Sequence, residues 1–585
     1  MLSTSAEPLI QSPAEPVREP VNDALWRRLA IAVLVLAAIL FFTRLGARAL
    51  WASEFRWAEI AREMHITGRY FWPTIDGRVY YDKPLGSYWL IVGAANVTGR
   101  MNEAAARIPC AFAGLIAVGL LMLLVRRLYD WRVAVWSGLI LATSFSFVFF
   151  SRTASADVET VCGELAALWL FTRYEDRQDG WWVVWLWLIM AVTSLMKGLL
   201  GYVLPIMVIG VYATFADGWR ELAARILHGP IRQRIGWFAG RNRWLFNWKT
   251  IPAVIIGGAV YAVPFFISQH LVHSDRGLYE VYRENVVRFF HPFDHKGPIY
   301  LYIYIIFLLM APWCVLLPGA LAQLHGCPAG ERRPARSNRF TLVYFWATFI
   351  FFTLSGSRRS YYLLPILPAA AIAVALLVTE SRQYLTRIAW AFSRIGYVVI
   401  AVIAIFAIIM VVPPAWILPG RLARFPMLPA RVAFGIFWAI AAAGVAYALT
   451  RLSPRRIGIS LGIIAYLLMI YIYVFAMPAS DAYRPEKPFG KTVSAILGPN
   501  MTKLGYFRNM EAYYYLDWPK PIPDYQNPIP LKRAIESGRV KWLLIRRGDI
   551  PGLHLKGEIL ASEKSFPWET PRYTGEKVVL MKLGL

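Results

Sequence analysis

Cysteine is almost missing from this chain: there are four in 585 residues, Cys110, Cys162, Cys314 and Cys327, and no CxxC pair. Three of them sit in apolar runs, so neither a disulfide framework nor a zinc knuckle is indicated. Charge is scarce as well. Only 17% of residues are charged and 57% are hydrophobic, with a mean hydropathy of +0.45. That balance excludes an ordinary soluble protein of this length. Acidic residues are the scarcer sign, 36 against 62 basic ones, for a formal net charge of +26. The excess does not indicate nucleic acid, because the basic residues gather in loops between apolar runs. Loops that face the cytoplasm and anionic lipid collect them there. Tandem repeats are absent, and the one biased tract is the polar, proline-rich "TSAEPLIQSPAEPVREP" near the N-terminus.

Long apolar runs are what the chain has in quantity. The first, "LAIAVLVLAAILFF", follows Trp26, Arg27 and Arg28 with no small-residue cleavage site after it, and reads as an anchor. By the roughly 20-residue requirement for crossing a bilayer, about thirteen runs qualify. They start near Leu29, Ala105, Ala134, Asp157, Trp181, Gly201, Ile251, Ile299, Phe340, Tyr361, Ile395, Val432 and Ile457. The arginine-rich segment 219–249, "RRPARSNR" and "SPRR" mark the cytoplasmic side. Counting from them puts the N-terminus inside and everything after "YIYVFAMP" outside.

The expected fold is an all-α polytopic membrane protein with a small α/β domain appended. Residues 1–27 form a disordered cytoplasmic tail, 28–477 the membrane domain, and 478–585 the extracytoplasmic α/β domain. In the last, "VKWLLIRRG" and "KVVLMKLGL" read as strands beside helical "KPFGKTVSAIL" and "PLKRAIESG". The first outer loop, 47–104, holds "WASEFRWAEIAREM". Arg56, Glu59, Arg62 and Glu63 fall on one side of that helix, and Trp57, Ile60, Ala61 and Met64 on or near the other. This is the pattern of a helix lying on a membrane surface.

Span parity collects five polar clusters on the outer side: Glu54 with Arg56, "YYDKP", "RTASADVE", "RFFHPFDHKGPIY" and "SGSRRSYYLLP". Each has a plain structural reading. Glu54 and Asp157 suit helix N-termini, Lys83 can snorkel, His291 and His295 suit a surface loop, and Arg358 and Arg359 can anchor a span. Convergence on one face is what independent caps do not require. Basic residues run against the charge bias of outer loops, and ionisable groups at membrane depth mark substrate paths. Cations beside carboxylates suit a phosphate-bearing lipid, with arginine giving bidentate contacts and lysine a point charge.

At these motifs the chain resembles the protein mannosyltransferase superfamily of lipid-carrier-dependent glycosyltransferases, which have the GT-C fold. It is most similar to the aminoarabinose transferases of lipid A. The resemblance rests on "SEFRWAEIAREM", "YYDKPLGSYWL", "TASAD", "LMKGLLG" around Lys197, "RFFHPFDHKGP" and "SRRSYYLLPILP", in that order. It implies a sugar donor linked through phosphate to undecaprenol, transfer with inversion, and lipid A or another envelope acceptor. It also implies a site facing the periplasm from the bacterial inner membrane, with no nucleotide. Glu54 and Asp157 are then the candidate catalytic carboxylates. Arg56, Lys83, Tyr81, Arg358, Arg359 and Tyr361 are the candidate carrier-phosphate ligands, and Asp82 with His295 a candidate divalent-metal pair. Two departures from the family pattern bear on this. Ser53 stands where the relatives have their first acidic residue, and Leu199 replaces a proline. The alternatives are hexose or mannose transfer to serine or threonine of a secreted protein or to another glycolipid, and a lipid or solute transporter.

Overall fold

The computed structural model describes residues 23–51, 53–177, 180–215, 230–292, 295–326, 335–380, 386–391, 454–479, 481, 484–508, 514–516, 518–564 and 577–584. The spans expected near Ile395 and Val432, and most of the 1–27 tail, lie outside them. Helix α1 (Asp23–Phe42) buries Ala30, Val33, Ala37, Leu40 and Phe41 and leaves Leu25, Ile31, Val35 and Ile39 exposed. An apolar helix bare along one stripe has the surface that lipid covers.

The segment expected as the first outer loop follows. It contains α2 (Ser53–Thr67), the hairpin β1 (Thr74–Ile75) and β2 (Arg78–Val79), and α3 (Gly86–Thr98). The hairpin turns on Asp76 and Gly77, with φ of 53° and 71°, the left-handed pair for which Asp-Gly is favoured. The expectation for α2 is corrected here. It is not a surface helix, for every residue from Trp57 to Met64 is buried, the charged ones included. Its polar side faces the C-terminal domain, and internal partners replace water.

The bundle continues with α4 (Glu103–Leu128) and α5 (Trp131–Ala142). Asn102 and Asp130 cap them, accepting from the N–H groups of Ala105 and Val133 at 3.0 and 2.9 Å. Helix α5 bends by 68° into α6 (Phe145–Ser151). Then come α7 (Asp157–Tyr174), α8 (Trp182–Lys197), α9 (Leu200–Phe215), α10 (Thr250–Val272), α11 (Ala335–Leu354) and α12 (Leu367–Thr379). All 13 residues of α12 are buried, so it sits inside the bundle.

The count of about thirteen spans is not reached among the described residues. Four helices are long and apolar enough to cross a membrane, Asp23–Phe42, Glu103–Leu128, Thr250–Val272 and Ser360–Thr379, or five if the bent α5–α6 pair is one span. Several expected spans are shorter or broken. The runs from Trp181 and Gly201 make helices of 16 residues each. The run from Ile299 divides into Leu301–Leu309 and Leu317–Gly326, with a 3-10 turn between.

The C-terminal segment forms α13 (Glu486–Leu497), β3 (Leu504–Phe507), β4 (Asp524–Tyr525), α14 (Pro528–Glu536), β5 (Trp542–Arg546), β6 (Gly557–Ser562) and β7 (Val578–Leu583). The sheet order is β4-β3-β5-β7-β6, with β3 parallel to both neighbours and the β5–β7 and β7–β6 pairs antiparallel. Helix α13 packs on one face through Phe489 and Val493, and α14 on the other through Leu531 and Ala534. With a helix on each face, β3 is buried throughout.

Candidate active site

The segment 47–104, the bundle and the C-terminal domain enclose a cavity of about 1110 Å³. Eight basic side chains line it: Arg56, Lys83, Lys197, Arg283, Arg288, Arg359, Arg508 and Arg546. Five carboxylates do so as well: Glu59, Asp82, Asp157, Glu280 and Glu284. Phe149, Phe150, Phe289 and Phe351 supply an apolar wall. A surplus of cations beside aromatics suits an anionic head on an apolar tail.

Helix α2 presents Arg56, which donates to the Tyr80 hydroxyl at 2.9 Å, and Tyr80 in turn donates to Asp82. Lys83, just before α3, reaches Glu284 at 3.2 Å and the Asp82 carbonyl at 2.9 Å. Burial depresses the Lys83 ammonium; Glu284 opposes this, while Arg56 and Arg288 reinforce it. Tyr81 also lines the cavity and shares a hydrogen bond with Ser268. Arg359 donates to His295 Nδ1 at 2.9 Å and to the Tyr361 hydroxyl at 3.1 Å. Lys197, at the end of α8, pairs with Asp157 and lies 5.6 and 5.4 Å from the ring centres of Tyr361 and Tyr362.

Two expected residues stand apart. Glu54 does not line the cavity. It is fully buried, and both its oxygens meet Arg107, at 2.7 and 2.8 Å. Arg48 at 3.3 Å and the N–H groups of Ala154 and Trp51, at 2.9 and 3.0 Å, complete its shell. Burial alone would raise this carboxyl, and the two arginines reverse that and hold it low. Saturated this way, Glu54 has no oxygen left for a substrate proton. Ser53, not Glu54, faces the cavity, so the position of the relatives' acid is not filled by its neighbour. Arg358 likewise donates to the carbonyls of Thr353 and Gly297 rather than lining the cavity.

The candidate metal pair has two ligands that face the cavity, Asp82 and His295, with Asp82 also accepting from Tyr80 and His295 Nδ1 accepting from Arg359. Among the described residues, the one group of three ligand-type side chains close enough to share an ion lies elsewhere and includes neither.

Sequence reasoning gave no role to Lys197, Arg283, Arg288, Arg508 or Arg546. A lone lysine inside the apolar stretch 182–215 was the available signal for Lys197. The two C-terminal arginines carry none, since only the tertiary fold brings them to the cavity.

The model of the dolichyl-phosphate-mannose-protein mannosyltransferase family matches residues 82–231. An uncharacterized protein of Aquifex aeolicus is 26% identical over 530 residues, 88% of this chain and 90% of its own length. An undecaprenyl phosphate-alpha-4-amino-4-deoxy-L-arabinose arabinosyl transferase of Pseudomonas fluorescens is 27% identical over 393 residues, and the match spans 66% of each chain. The counterpart from Shewanella sediminis is 27% identical, with 59% of each chain covered. The crystal structure of ArnT from Cupriavidus metallidurans bound to undecaprenyl phosphate has this fold. The TM-score is 0.69 at 20% identity, over 95% of this chain and 98% of that one. The chain thus has the fold of ArnT, and its residues 82–231 are similar to the dolichyl-phosphate-mannose-protein mannosyltransferase family.

Proposed function

We propose that this chain transfers a sugar of the aminoarabinose type from undecaprenyl phosphate to lipid A or a related anionic envelope acceptor. The reaction takes place at the periplasmic face of the bacterial inner membrane. The observation that carries this reading is the cavity, with its surplus of basic side chains against an aromatic wall. The relatives named as aminoarabinose transferases, and the undecaprenyl phosphate bound to ArnT of the same fold, support it.

The carrier phosphate lies among Arg56, Lys83 and Arg359, with Tyr361 as a further donor, and its tail runs along the phenylalanines. The bond from the sugar C1 to the phosphate oxygen breaks, and its electron pair stays on that oxygen. The acceptor oxygen bonds C1 from the opposite face, which inverts the centre. Cations fixed beforehand around the phosphate stabilise the charge that develops on departure. An acceptor phosphate, with a second pKa of about 6, is already anionic and needs no base. An alcohol acceptor would pass its proton to Asp157, which Lys197 holds in place.

Arg508 and Arg546 are the outer cations. Strands β3 and β5 are parallel and register Phe507 with Ile545, so these arginines stand side by side just past that pair. We assign them to the acceptor's anionic group. Binding of undecaprenyl phosphate to the purified protein in detergent tests the inner half of this scheme. Lys83→Met and Arg359→Ala should each weaken it, and Arg508→Ala should leave it unchanged. Wild-type affinity in both inner variants contradicts the assignment.

A further inference from the structure

Glu59 and Glu63 on α2 and Asp76 in the hairpin turn bring three carboxylates together. One oxygen of each lies within 4.8 Å of the other two, and the side chains are only 3%, 2% and 7% exposed. Glu59 is held bidentately by Arg62, at 2.6 and 2.9 Å. Glu63 accepts from the Asp76 N–H and the Thr74 hydroxyl. Arg78, in the same hairpin, is already paired with Asp524. Independently of the cluster's internal bonds, Asp76 Oδ2 is completely covered and has no hydrogen-bond partner. A buried acceptor left unsatisfied is costly, and such atoms usually have a bound water or ion.

We propose that Glu59, Glu63 and Asp76 form a binding site for a divalent cation of the calcium class. The donors are all oxygen, the choice of hard cations rather than zinc or copper. Oxygens bound to calcium at about 2.3–2.6 Å stand no more than about 5 Å apart, which accommodates the spacing here. The ion would join α2 to the hairpin beneath the C-terminal domain, where Arg62 also donates to the Trp518 carbonyl at 2.7 Å. Glu59 lines the cavity, so an ion can enter from it. The site does not depend on the transfer reaction and is separate from Asp82 and His295.

The competing occupant is a proton. Burial, then the neighbouring carboxylates, push the Glu63 and Asp76 carboxyls up. The full-length protein in detergent, stripped with a chelator, separates the two. Calcium chloride is titrated in by calorimetry, and unfolding is followed by tryptophan fluorescence. One ion should bind per chain, and the unfolding midpoint should rise with calcium concentration. Asp76→Asn and Glu63→Gln should abolish both effects, yet unfold no lower than stripped wild type, since each removes a repelling charge. That last result distinguishes loss of a site from misfolding. The proposal is overturned if calcium leaves the wild-type midpoint unchanged, or if binding survives both substitutions.

Discussion

Glu54 and Asp157 look alike in the sequence, each at the start of a helix after a small residue, and the fold gives them opposite surroundings. Glu54 is enclosed by Arg107, Arg48 and two backbone N–H groups, whereas Asp157 faces the cavity with Lys197. Removing one member of a buried ion pair costs about 3–5 kcal/mol, because the other is left uncompensated. Glu54→Gln should therefore lower the unfolding midpoint in detergent, while the protein that stays folded binds undecaprenyl phosphate normally. Asp157→Asn leaves the buried Lys197 without its partner and should lower the midpoint too, but the protein that stays folded should lose transfer. With an alcohol acceptor the loss should be about 10²–10⁴-fold, the contribution of a positioned base. With a phosphate acceptor the loss should be smaller and carry no pH limb for deprotonation of a base. Lys83 sets a different pH dependence. A lysine is neutral above its pKa, and burial depresses this one. Carrier affinity should then fall with rising pH before the ordinary lysine range is reached, and Lys83→Met should remove that limb. An alkaline limb unaltered by Lys83→Met would assign the titration to another group.

Helix α2 shows the same gap between sequence and surroundings. Its 3.6-residue pattern was readable, and so was its helical state, but its environment was not. Charges at Glu59, Arg62 and Glu63 look the same in sequence whether water or a second domain satisfies them. Here Arg62 bonds Glu59 and the Trp518 carbonyl, and Glu63 bonds the hairpin. Single cysteines at Ala58, Ile60, Ala61, Arg62, Glu63 and Met64, none of which lines the cavity, should all be protected from a water-soluble thiol reagent. Reactivity at Arg62 and Glu63 alone, the charged side of the helix, would restore the surface-helix reading. The hairpin was unread for a similar reason, since two-residue strands leave no periodicity. Its Asp76-Gly77 turn was nonetheless a hairpin signal in plain view.

Across the whole molecule, the sequence made legible what hydropathy and local pattern control: apolar helices, an α/β segment at the end, and several motifs with residues that line one cavity. In the C-terminal segment the helices and the strands around Trp542–Arg546 and Val578–Leu583 lie where the pattern placed them. The number of spans was less legible, because an apolar run does not reveal a break. The 68° bend after Ala142 and the division of the run from Ile299 depend on packing. Nor could a linear reading connect Arg508 and Arg546 with Arg56, since their meeting is a property of the assembled chain. The double variant Arg508→Ala/Arg546→Ala should raise the KM for the acceptor and leave the affinity for undecaprenyl phosphate unchanged.

The transfer proposed for the cavity moves a carrier-linked sugar to an anionic lipid. Its most direct test is mass spectrometry of lipid A in vesicles that hold the purified protein and undecaprenyl-phosphate-linked aminoarabinose. Wild type should add the mass of one sugar residue to lipid A and release undecaprenyl phosphate, and Lys83→Met should do neither. Unmodified lipid A with the donor intact, or a sugar found instead on protein serine or threonine, would contradict the account.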